Sequence, residues 1–109
     1  MIKIVNETID KTIKFLQYQF PRYEDVYIHI AEDYDCVMAP DGTKGFGVYV
    51  PDTRMIFIAG DVPEPETTLI ETISHEYKHF LQHCEGEPFD ERDAEEFALR
   101  IVKELDERK

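Results

Sequence analysis

Positive charge is scarce in this sequence. Twelve Lys and Arg stand against 24 Asp and Glu, for a net charge of −12. So acidic a chain repels nucleic acid and anionic lipid, which argues against non-specific DNA or RNA binding. Long apolar runs are missing as well. None approaches the ~20 residues of a membrane span, so no membrane role is expected. The opening Met1-Ile2-Lys3-Ile4-Val5 is too short for the apolar part of a signal peptide. Cysteine is limited to Cys36 and Cys84. With no export signal, the expectation is a cytoplasmic protein with reduced thiols, and nothing argues for a bridge between them. Internal repeats, linkers and low-complexity stretches are also absent. The 109 residues therefore read as one domain with one modest core.

Hydrophobic spacing then assigns the elements. Val5, Ile9, Ile13, Leu16 and Phe20 recur at threes and fours, which predicts a core-packing helix over 3–20 stopped by Pro21. Residues 26–31 alternate, with Val26, Ile28 and Ile30 on one face and His29 on the other, and predict a strand. A loop follows from about 32 to 44, with a turn signal at Asp41-Gly42. Gly45–Val50 and Met55–Ala59 read as a hairpin across Pro51-Asp52-Thr53-Arg54. Gly47 in its first strand marks either a bulge or a close backbone approach, and local sequence slightly favours the bulge. Pro63 and Pro65 lead into a helix over 66–84, with Thr68-x-x-Glu71 as a candidate capping box and Gly86 as its stop. A last helix over 90–107 carries Ala94, Phe97, Ala98, Ile101, Val102 and Leu105 on one stripe.

The chemistry concentrates in the helix over 66–84. Its apolar stripe is Ile70, Ile73, Tyr77, Phe80, Leu81 and Cys84. The opposite side carries Thr72, His75, Glu76, His79, Gln82 and His83, and that side is too rich in potential ligands for an ordinary solvated face. Within it stands His75-Glu76-x-x-His79. Residues four apart share one helix face, so the two imidazoles can grip one metal ion. Glu76 points near the same ion without needing to bind it. This is the layout for a metal-activated water with a carboxylate beside it to take the proton. A chance pair of histidines on a solvated face is the bland alternative. His83 lies ~12 Å from His75 along the helix axis and cannot share the ion. It reads as a rim residue, a group supporting a ligand or a surface histidine, with the surface reading favoured.

A catalytic zinc takes three protein ligands and one open position. Glu91 is the leading candidate for the third, because projection of the last helix puts it on the apolar side, one turn before Ala94. A carboxylate turned inward is costly unless paired or metal-bound. Acids in a first helical turn also suit the helix dipole, which explains the Asp90–Glu96 cluster but not an acid on the inward side. Glu95, a turn on, suits a hydrogen bond from a ligating His. Glu85 ranks below Glu91, since a compact site there would need Gly rather than Gln82.

With these residues in view, the chain resembles the gluzincin zinc metallopeptidases, especially the small ImmA/IrrE-like members. The resemblance lies in His75-Glu76-x-x-His79 and in Glu91-x-x-Ala94-Glu95-x-Phe97-Ala98, and spans about residues 45–105. It implies Glu91 as the third zinc ligand. It implies an edge strand at Gly45–Val50, with Gly45, Phe46, Gly47, Val48 and Tyr49 receiving extended substrate backbone. The family has Asn or Asp where this chain has Glu95. The expectation is a minimal member, without the further subdomain of larger gluzincins. Metzincins would need Gly at 82 and His at 85. Deformylases would need their signature around Cys36, where Tyr34-Asp35-Cys36-Val37-Met38 stands.

The expectation is an α+β minimal zincin-like fold: an N-terminal helix, about three strands, the zinc helix and the ligand helix. Its expected activity is hydrolysis of peptide bonds in a peptide or protein substrate. One Zn²⁺ on His75, His79 and Glu91 would activate water, with Glu76 as general base. The competing expectation is a non-catalytic or autoinhibited zinc-binding module of the same fold.

Overall fold

The computed structural model describes residues 2–107, with side chains from Val5 to Asp106. The order is α1 (Ile2–Gln19), β1 (Tyr27–Ala31), β2 (Val37–Met38), β3 (Lys44–Gly45), β4 (Gly47–Val50), β5 (Met55–Ala59), α2 (Pro65–Cys84) and α3 (Glu91–Glu107). This is an α+β fold. Beta-1 and β5 pair in parallel, β5 and β4 antiparallel, giving a mixed sheet ordered β1-β5-β4 with β4 at an edge.

The core sits between one face of this sheet and the three helices. Ile56 and Ile58 of β5 are fully buried against Leu16 of α1, Leu69, Ile73 and Phe80 of α2 and Ile101 of α3. Burial of such side chains is the main force holding the layers, at about 1.5–3 kcal/mol for each. The stripe predicted for α1 is realised, with Val5, Ile9 and Leu16 buried. Phe20, just past the helix, meets Phe97 of α3 edge-on at 5.0 Å. The Tyr77 hydroxyl donates to the Phe20 carbonyl at 2.8 Å, so a buried phenol satisfies the end of α1 and ties it to α2.

Three local expectations are corrected. The stretch read as a loop over 32–44 contains β2 and the first residue of β3, joined by the turn at Asp41-Gly42. Strands of two residues carry too little alternation to be seen as such. The capping box at Thr68 and Glu71 is not used. Helix α2 begins a turn earlier, with Pro65 at its first position, and the Thr68 hydroxyl donates instead to the Pro63 carbonyl at 2.6 Å. Gly47 is not a bulge, for β4 pairs with β5 in unbroken register from Gly47↔Ile58 to Val50↔Met55. It is a close-approach site. A Cβ there would stand 2.5 Å from Cγ2 of Thr72 and 3.3 Å from Cγ of Glu76. Glycine thus lets α2 press its ligand-rich side against the edge strand.

A candidate metal centre between the second and third helices

Helix α2 presents His75, Glu76 and His79 on the side that faces β4 and the start of α3. Gly86, at φ +72, turns the chain out of α2. The return loop then delivers Asp90, whose carboxylate accepts the Asp93 N–H at 3.1 Å and caps α3. Glu91 is consequently the first residue of α3. Its carboxylate reaches across to both imidazoles, 3.0 Å from Nε2 of His75 and 2.8 Å from Nε2 of His79. One ligand atom from each of the three residues lies within 4.8 Å of the others.

The burial expected for Glu91 is not found. Its side chain is 77% exposed, against 6% for His79. At the first position of a helix, the projection that put Glu91 inward has no preceding turn to cover it. The carboxylate closes the site from its open side rather than from beneath. Glu85 lies elsewhere and pairs with Arg22 at 3.6 Å. Glu95, expected to accept a hydrogen bond from a ligating His, is exposed, and Nδ1 of His79 is met by another residue.

That residue is Gln82, 2% exposed. Its amide oxygen lies 2.9 Å from Nδ1 of His79. The orientation of the amide is set by its neighbours. Its NH₂ donates to the Asp90 carbonyl at 3.3 Å and the Asp93 carboxylate at 3.2 Å, both acceptors only. Its oxygen accepts the Asp90 N–H at 3.2 Å. An oxygen so placed requires a proton on Nδ1 of His79, which leaves the lone pair of Nε2 aimed at Glu91. Two lone pairs at 2.8 Å repel unless a proton or a cation lies between them. The donor set of two imidazoles and a carboxylate, with one imidazole held in its metal-binding tautomer, fits a divalent ion such as zinc. Sequence reading placed Gln82 on the ligand side without giving it a role. The signal was its i+3 spacing from His79.

Glu76 is 9% exposed and lies between His75 and the edge strand. Burial pushes its pKa up to about 7, helped by the nearby Glu91 carboxylate and opposed by His79 and by the backbone N–H of Tyr49. Phe89, in the return loop, packs 5.0 Å from the His79 ring and 6.1 Å from Tyr49, shielding the far side of the site. No sequence pattern announces that contact. His83 is on the surface, yet its Nδ1 lies 2.8 Å from the Tyr49 hydroxyl. Burial raises the pKa of that phenol to about 12. His29 stacks edge-on to Phe57 at 5.6 Å on the sheet, as a strand-face residue, and both cysteines are free.

Beside the triad opens a cleft of about 340 Å³. It is lined by Gly45, Phe46, Gly47, Thr68, Glu71, Thr72, His75, Glu76 and Glu91. Three of the five residues expected to receive substrate therefore line it. Val48 pairs with Phe57 and alternates to the opposite face of β4, and the Tyr49 ring is buried against Phe80 at 6.0 Å. Those two can contribute only backbone. The Phe46 carbonyl accepts from Ala59 N–H, so Phe46, Val48 and Val50 bond toward β5, while Gly47 and Tyr49 turn their N–H and C=O groups to the outer edge, where the Tyr49 N–H meets the Glu76 carboxylate.

No helix among the described residues is long and apolar enough to cross a membrane. Compared with protein-family models, curated proteins and solved structures, the chain has no significant match.

Proposed function

We propose that this protein is a zinc-dependent peptidase. The observation that carries the reading is the convergence of His75, His79 and Glu91 beside a buried carboxylate that is not part of the triad. A divalent ion held by the three would supply a Lewis acid that acidifies water and stabilises negative charge on a substrate carbonyl oxygen. Glu76 stands next to that point and faces the cleft. Its carboxylate takes the proton of the attacking water and passes it to the leaving amine. Gln82 keeps Nε2 of His79 available by holding the proton on Nδ1. The outward N–H and C=O groups of Gly47 and the C=O of Tyr49 offer hydrogen bonds to an extended peptide, which would lie across the cleft as an added strand.

The other reading is a zinc-binding module without turnover. A site that only held a metal would have no use for a buried carboxylate beside the ligands, and Glu76 is such a group. The experiment that separates the two is hydrolysis of casein by the zinc-loaded protein. The peptidase reading expects cleavage that a chelator abolishes and added zinc restores. Stoichiometric zinc with no cleavage of any unstructured protein would leave the binding module.

A further inference from the structure

The cleft beside the triad has a distinct chemical character. No lysine or arginine lines it. Its wall away from the metal ligands is Glu71, with Thr68, Thr72 and Phe46 around it. Glu71 is exposed and has no ion-pair partner among the described residues. Glu91 and Glu76 face the metal position, so Glu71 is the acid left for something else. A long side chain with an apolar stem and a cationic head matches these walls. The stem packs on the apolar atoms of Phe46 and the two threonines, and the head meets Glu71.

The direction of a bound peptide follows from how β4 lies on α2. Gly47 abuts Thr72 and Glu76, whereas Tyr49 contacts Phe80 and His83. Strand and helix therefore run the same way. An added strand prefers to be antiparallel, the slightly more stable pairing per residue. Such a peptide enters at the Tyr49 end, passes the triad, and leaves past Glu71. Glu71 stands one helical turn before His75, ~6 Å along the axis. An extended chain covers that in about two residues.

We propose that the cleft selects peptides with a lysine or arginine one or two residues C-terminal to the bond cut, and that Glu71 is the residue that reads it. This rests on the peptidase reading. It goes further in naming the substrate class, an extended basic segment, and the strong negative charge of the whole chain would draw such segments in.

The test uses two matched peptides, differing only in Lys or Glu at the second position after the cut, and the zinc-loaded full chain. The Lys peptide should be cleaved about tenfold faster at low substrate, since attraction is exchanged for repulsion. Glu71→Gln should bring that ratio towards one, and Glu71→Lys should invert it. The ratio within each variant is read, so a general loss of activity cancels. A ratio unchanged by Glu71→Gln, or a basic preference only on the N-terminal side of the cut, would overturn the proposal. If neither peptide is cut, the casein assay decides the peptidase reading. The selectivity is then decided separately by binding of the same two peptides, fluorescently labelled, to the zinc-loaded protein. Equal affinity for both would overturn it there too.

Discussion

The amide oxygen of Gln82 lies 2.9 Å from Nδ1 of His79, and the same amide is hydrogen-bonded to both backbone groups of Asp90. One buried side chain therefore orients a candidate ligand on α2 and anchors the residue that precedes Glu91 on α3.

Replacing Gln82 should act on the metal more than on the fold. Gln82→Leu leaves Nδ1 of His79 without its acceptor and loosens the loop before Glu91. Zinc affinity should fall by roughly 10- to 100-fold, the usual cost of losing a group that orients a ligand. Gln82→Glu keeps an acceptor at Nδ1 and should lose less than Gln82→Leu. Competitive titration with a chromophoric chelator measures both, and equal losses in the two variants would remove the orienting role.

Gly47→Ala should destabilise the protein by about 1–3 kcal/mol, because its Cβ would meet the Thr72 methyl. The closest obstacle is one methyl group, so the cost should shrink in a Thr72→Ser background. A double-mutant cycle by urea denaturation reads the coupling directly. Additive effects would mean that the close contact between β4 and α2 is not what glycine serves.

The metal-free protein should also carry a pH signature of Glu76. Its ordinary pKa of 4.5 is raised to about 7 in the fold, chiefly by burial. Well below pH 4.5 the carboxyl is neutral in both folded and unfolded chains, and the penalty for burying its charge is absent. Between 4.5 and 7 the folded state holds more protons than the unfolded one, so stability falls as pH rises. Glu76→Gln removes this effect. In a chelator, its stability relative to wild type should therefore increase from pH 4.5 to 7.5, by up to about 3 kcal/mol. A difference that stays flat with pH would show that Glu76 is not desolvated.

Much of this architecture is readable in the chain because long amphipathic elements announce themselves. The stripes Val5-Ile9-Leu16 and Phe97-Ile101-Leu105 predicted α1 and α3, and the spacing of His75 and His79 predicted one shared face. What failed depended on tertiary context. Projection placed Glu91 inward, but it opens its helix and stays at the surface. The glycine at 47 looks the same in sequence whether it bulges or is pressed by Thr72. Glu95 suited a hydrogen bond to a ligating His by spacing alone, whereas at His79 that place went to Gln82, whose amide is fixed by a loop no periodicity describes. The resemblance to gluzincins added the substrate role expected of Gly45–Val50, and it named as third ligand the same Glu91 that helix projection had reached.

The most direct test is a zinc titration of the metal-free protein beside Glu91→Ala, followed by calorimetry at pH 7.5. The account predicts one ion per chain, a Glu91→Ala affinity lower by more than 100-fold, and little change in Glu85→Ala. No saturable binding by the wild-type chain, or a Glu91→Ala variant that binds zinc as tightly, would contradict it.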